Sequence, residues 1–237
     1  MKLVSSVNLE SIKLENNFMA TIGVCLSGCG VNDGAEIHES VITSLALDRA
    51  GANIIYTAPN VIQTKVVDHY SGNDMNEQRN VLVESARIAR GEITDLAKLR
   101  ADDMDGLIFP GGFGAALNLC DFALKGADCD IHSEVNRIIG EMLTANKPLG
   151  FICIAPVLFA RAAKNADKSS KVTIGNDQGT ADQIEKLGSQ HAICTVDDFI
   201  VDEENKIVST PAYMLANRIS ETAEGIEKLI TKVIELI

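Results

Sequence analysis

The chain has 237 residues, 46% hydrophobic and 23% charged, which suits one sizeable α/β unit better than two domains. Its net charge of −12 argues against nucleic acid as a partner. The longest strongly apolar stretch, Pro148 to Ala160, is too short to cross a bilayer, so no membrane association is expected.

Residues 1 to 18 read as an N-terminal extension, and residues 19 to 237 as one domain. The extension carries Lys2, Glu10, Lys13 and Glu15 and has no apolar core before a cleavage site, which excludes a secretory signal. It has no arginine, which argues against a mitochondrial transit peptide, and Met19 is an alternative start.

Beyond it, short apolar strands alternate with helices. Thr21 to Leu26 reads as a strand. Ala35 to Ala50 reads as a helix with Ile37, Val41 and Leu45 on one stripe. Asn53 to Thr57 is the next strand, and Glu77 to Arg90 a helix ended by Gly91. Gly106 to Phe109 is a strand cut off by Pro110-Gly111-Gly112, and Ile131 to Ala145 a helix. Leu149 to Ile152 is a buried strand, followed by Cys153 and a helix from Val157 to Lys164. Lys171 to Ile174 and His191 to Val196 read as strands around a helix, Ala181 to Leu187. A hairpin follows, with arms Phe199 to Val201 and Lys206 to Ser209, and then a terminal helix, Met214 to Leu236.

This alternation predicts a three-layer sandwich, with a mostly parallel sheet and helices on both faces (flavodoxin-like). In that architecture ligands bind beyond the C-terminal strand ends. The loops Ser27 to Gly34, Pro110 to Gly114 and Cys153 to Pro156 are expected along that edge.

Cys153 stands at the apex of a strand-turn-helix elbow. A helix N-terminus favours the thiolate, so Cys153 is a candidate nucleophile; the alternative is an inert core cysteine. Pro110-Gly111-Gly112-Phe113-Gly114 is either an oxyanion-binding turn or a plain glycine-rich connection. Glu39 lies off the Ile37/Val41/Leu45 stripe, so it is either a solvated carboxylate at the helix start or one aimed at Cys153 from a sheltered site. His38 and His191 are surface or loop candidates. The six cysteines are dispersed, without C-x-x-C pairs, which points to free thiols in a reducing cytoplasm rather than to structural zinc.

Together Ser27-Gly28-Cys29-Gly30-Val31, Gly34 to Glu39, Pro110 to Gly114, Gly150 to Pro156 and Thr210-Pro211-Ala212-Tyr213-Met214 resemble the PfpI superfamily, with the class I glutamine amidotransferase-like fold. Within it they are similar to the ElbB-like group, called glyoxalases and linked by name to isoprenoid biosynthesis. The resemblance implies Cys153 as nucleophile, Glu39 as its hydrogen-bonding acid, and Gly112 and Ile154, with Gly111, as the oxyanion and substrate-binding amides. Peptidase-like members place histidine where Ile154 stands, and the C-terminal His-x-Glu pair of glutamine amidotransferases is absent, so neither activity is expected. The expected chemistry is glutathione-independent conversion of a small aldehyde, glyoxal or methylglyoxal, to a 2-hydroxy acid, without metal or organic cofactor. A thiol-oxidation sensor and an accessory binding protein are the alternatives. The resemblance also implies a homodimer.

Overall fold

The computed structural model describes residues 19–237. The proposed extension, residues 1–18, lies outside the described residues. In chain order the elements are β1 (Thr21–Cys25), α1 (Ile37–Arg49), β2 (Asn53–Ala58), α2 (Val81–Ile88), β3 (Thr94–Asp95), β4 (Gly106–Phe109), α3 (Phe113–Leu117) and α4 (Phe122–Lys125). There follow α5 (Ser133–Thr144), β5 (Leu149–Ile152), α6 (Pro156–Asn165), β6 (Lys171–Val172), α7 (Gln178–Lys186), β7 (Gln190–His191), β8 (Ile200–Asp202), β9 (Ile207–Thr210) and α8 (Ile219–Glu235).

Seven strands form one sheet in the order β3-β2-β1-β4-β5-β9-β8. All neighbours are parallel except β8 and β9, the hairpin read from the sequence. Strand period 2 sends alternate side chains to opposite faces. Leu107, Phe109, Leu149 and Phe151 therefore join one core, packed against α5 and α6. Ile22, Val24, Ile108, Ile152 and Val208 join the other, under α1 and α8. Phe109 stacks on Phe151 with centroids 5.1 Å apart, an arrangement worth about 0.5–1.5 kcal/mol beyond area burial.

The apolar stripe of α1 faces the opposite way from expectation. Ile37, Val41 and Leu45 are 43%, 51% and 44% exposed, while Glu39, Ile42, Thr43, Ala46 and Leu47 are buried. The helix carries apolar residues on both sides. The inward set is the one that packs beside α8, with Ile226, Ile230 and Val233.

Two expected strands also differ. Lys171–Ile174 and His191–Val196 shrink to β6 and β7, which pair only with each other. The Thr173 N–H is taken by Ser209 Oγ at 2.9 Å, and Gly175 turns the chain at φ +96°. The terminal helix starts at Ile219, after a single 3-10 turn at Ala212–Met214.

Candidate active site

Three loops converge beyond the C-terminal ends of β1, β4 and β5, on the edge expected from the sequence. The first two are sewn together through main-chain bonds. Glu36 N–H donates to Gly111 O (3.0 Å), Phe113 N–H to Val31 O (2.8 Å) and Gly114 N–H to Gly34 O (2.9 Å). Gly112 sits in this seam at φ +89°, where a Cβ would strike Glu36 N and Gly34 O.

Cys153 follows β5 directly, and its N–H donates to Thr210 O of β9 at 2.9 Å. Its φ is +62°, a left-handed backbone that costs a non-glycine residue about 1–3 kcal/mol. The surrounding sheet holds this strain and turns the thiol over the strand end, with α6 starting three residues later.

Glu39, in the first turn of α1, is fully buried. Its Oε2 accepts from Gly111 N–H at 2.9 Å and its Oε1 from Tyr213 N–H at 3.3 Å. Its own N–H donates to Glu36 Oε2, the capping carboxylate of α1, at 2.7 Å. The Glu39 carboxyl lies beside the Cys153 thiol, since a single Cβ on Gly111 would stand 2.7 Å from Glu39 Oε2 and 3.0 Å from Cys153 Sγ. Burial, reinforced by the Glu36 charge, pushes Glu39 up to about 8.

The thiol is less exposed than the elbow alone suggests, at 8%. Burial raises Cys153 well above the ordinary thiol range, and the Glu39 charge raises it further. The main-chain N–H groups of Gly112 and Ile154 act the other way, favouring the thiolate. The helix N-terminus is thus outweighed while Glu39 is ionised. A protonated Glu39 carries no repelling charge and offers the sulfur a donor, so the ionisations of the pair are tied together.

The remaining sequence candidates separate. Gly111 differs from its expected oxyanion role, because its N–H is taken by Glu39 Oε2; it positions the acid. His38 is exposed, but its Nδ1 lies 2.8 Å from Tyr213 Oη, on the residue whose main chain holds Glu39. His191 lies on β7, with Nε2 accepting from Ile174 N–H at 3.3 Å, and does not line the cavity around Cys153. Glu36 and Tyr213 had no assigned role in the sequence. Tyr213 sits in the Thr210 to Met214 motif, which was the available signal.

A cavity of about 450 Å³ opens on Cys153. Val31, Phe113, Phe122, Ile154 and Met214 give it apolar walls, and Glu36, Asp177, Thr180 and Tyr213 supply polar groups. The arrangement offers a sulfur nucleophile, one buried carboxyl group able to carry or release a proton near neutral pH, and two N–H donors beside the sulfur.

A mostly parallel sheet of this order with a cysteine elbow beyond β5 is the class I glutamine amidotransferase-like fold, a fold that solved DJ-1 structures share. Drosophila melanogaster DJ-1beta shares it with a TM-score of 0.53 at 16% identity, over 92% of this chain and 95% of that one. No protein-family model matches the chain. The ES1 protein homolog, mitochondrial, of Rattus norvegicus is 45% identical over 92% of this chain and 84% of its own length. The human glutamine amidotransferase-like class 1 domain-containing protein 3, mitochondrial, is 46% identical over 92% and 83%. A crystal structure of an isoprenoid biosynthesis protein with amidotransferase-like domain from Ehrlichia chaffeensis superposes with a TM-score of 0.85 at 36% identity, over 92% of this chain and 100% of that one. The chain belongs to the ES1 family of glutamine amidotransferase-like class 1 proteins.

Proposed function

We propose that this protein is a cofactor-independent glyoxalase acting on glyoxal, methylglyoxal or a related small 2-oxoaldehyde. The observation that supports the reading is the contact between Cys153 and a carboxyl group buried enough to titrate near pH 8. A general acid–base works best with a pKa near the working pH. The sulfur adds to the aldehyde carbon, while the thiol proton passes through Glu39 to the new alkoxide, giving a hemithioacetal. Ionised Glu39 then takes the proton from the former aldehyde carbon, giving an enediol, and returns a proton to the adjacent carbon. The thioester that results is hydrolysed by water to the 2-hydroxy acid, and the thiol is restored. The Gly112 and Ile154 N–H groups stabilise oxyanions along the way.

The test is product analysis with both aldehydes, comparing wild type with Cys153→Ser. Glycolate or lactate formed by wild type and lost in the variant supports the reading; equal rates exclude it. A second reading is peroxide sensing, in which Cys153 oxidises to a sulfinic acid held by Glu39. The same thiol–carboxyl contact favours it, and mass analysis after peroxide treatment separates the two.

We assign the protein to the reducing cytoplasm, since all six cysteines are free thiols. The vertebrate relatives carry "mitochondrial" in their names, so fractionation against both compartments decides. Among the described residues no helix is long and apolar enough to cross a membrane. We further propose a homodimer that covers the exposed Ile37/Val41/Leu45 stripe. No nucleic-acid or membrane partner is proposed.

A further inference from the structure

We infer that the cavity over Cys153 is built for an uncharged 2-oxoaldehyde bearing an aryl group, and that its walls turn away aldehydes that carry a second, anionic group. The inference rests on the glyoxalase reading of the same site and names which 2-oxoaldehydes that site prefers.

Size is the first reason. The cavity of about 450 Å³ falls within the roughly 300–1,000 Å³ of pockets that enclose drug-sized ligands. Glyoxal and methylglyoxal are far smaller and would leave most of it to water.

The walls are the second. Val31 and Phe113 line the cavity yet are 40% and 53% exposed, so they stand on its open side. Phe113 N–H donates to Val31 O at 2.8 Å, which keeps the two side by side. Phe122 of α4 is buried and adds a second aromatic ring to the lining. Apolar surface left open beside a nucleophile marks a ligand wall, and aromatic rings pack favourably against another ring.

Charge is the third. Apart from Cys153 and Tyr213, the ionisable side chains lining the cavity are Glu36 and Asp177; among the described residues no lysine, arginine or histidine lines it. Glu36 is 8% exposed, with Oε2 accepting the Glu39 N–H. Asp177 caps α7, and its Oδ1 accepts the Thr180 N–H at 2.8 Å, which holds its carboxyl below the usual range. A carboxylate or phosphate on the substrate would meet like charge here with no cation to answer it. The same field favours turnover of a neutral substrate, because the 2-hydroxy acid product is an anion and is pushed out.

Phenylglyoxal is the probe. Water and phenylglyoxal give mandelate: the aldehyde carbon loses its hydrogen as a proton, takes the oxygen of water and ends as the carboxyl carbon. The ketone carbon takes a proton and ends as the carbinol, so oxidation and reduction balance within one molecule.

Initial rates of acid formation by the full-length protein are compared for methylglyoxal, phenylglyoxal and para-carboxyphenylglyoxal. Mandelate is the product followed, since arginine modification by phenylglyoxal does not make it. The kcat/KM for phenylglyoxal is expected to exceed that for methylglyoxal by about tenfold or more, the least that a methylene achieves in a hydrophobic pocket. The para-carboxylate is expected to lose about tenfold or more against phenylglyoxal, a gap that added salt narrows. Ala123, exposed on α4, also lines the cavity. Ala123→Trp fills the space and should lower the phenylglyoxal-to-methylglyoxal ratio several-fold. Asp177→Asn keeps the helix cap and removes the charge, so it should raise the para-carboxylate relative to phenylglyoxal. Ratios within one variant cancel any change in the amount of folded protein. Lactate formed at least as fast as mandelate, a para-carboxylate as good as phenylglyoxal, or ratios that neither variant moves would overturn the inference and leave the glyoxalase reading intact. No acid from any of the three aldehydes would overturn both.

Discussion

Gly111 lies against Cys153 so closely that no side chain fits between them. A Cβ on Gly111 would stand 2.5 Å from Cys153 Cβ, 3.0 Å from its Sγ and 2.7 Å from Glu39 Oε2. The same residue donates its N–H to Glu39 Oε2. One glycine therefore sets the spacing of the acid and the nucleophile. Gly111→Ala is expected to abolish acid formation and to destabilise the fold by about 1–3 kcal/mol, the usual range for overpacking. Denaturant titration beside product analysis checks both, and a fully active variant would show that the close packing has no bearing on turnover.

Stability should depend on pH through Glu39. Its carboxyl is raised from 4.5 to about 8 in the folded state, so the folded protein holds a proton that the unfolded chain has released. The stabilisation is complete below the unfolded value and is lost as pH climbs toward the folded one. The melting temperature of wild type, measured relative to Glu39→Gln, is expected to fall between about pH 5 and pH 8, by an amount corresponding to a few kcal/mol. A pH-independent difference would mean that Glu39 is ionised throughout.

The same variant separates thiol reactivity from turnover. The Glu39 charge raises the Cys153 thiol, and glutamine carries no charge. Above about pH 8, where Glu39 is mostly ionised, Glu39→Gln should therefore react with iodoacetamide several-fold faster at Cys153, because thiolate is the reactive form. Acid formation should nonetheless disappear, since glutamine cannot relay a proton. Slower labelling would show instead that a protonated Glu39 is what stabilises the thiolate.

Val41 is 51% exposed at the centre of the outward stripe of α1. A glutamate there adds a charge to an apolar contact without touching the core. Val41→Glu is expected to shift the light-scattering mass from that of a pair to that of a single chain, with an unchanged melting profile at low concentration. A wild type already at the single-chain mass excludes the homodimer.

The central strands and the elbow were legible because β4 and β5 are short buried apolar runs punctuated by Pro110 and Cys153. The face of α1 was not. Ile37, Val41 and Leu45 satisfy helical spacing, but so do Glu39, Ile42 and Ala46, and periodicity does not say which side meets the sheet. The short helices α3 and α4 were missed, because four or five residues are too few to show a period. The burial of Cys153 depends on loops arriving from β1, β4 and β9, none of which is local to the elbow. Tyr213 holds Glu39 through a main-chain N–H, which any residue except proline could supply, so only the Thr210 to Met214 motif marked it.

The Glu39 carboxylate is held from Gly111, 72 residues on, and from Tyr213, 174 residues on. Contacts of such separation form late, after the entropy of closing long loops has been met. During synthesis Cys153 therefore emerges as an ordinary thiol, without its proton partner. The last support for that partner arrives only with the turn beyond β9. Fragments ending before that turn should be inert toward aldehydes, and reactivity at Cys153 doubles as a readout of whether both halves of the sheet have closed.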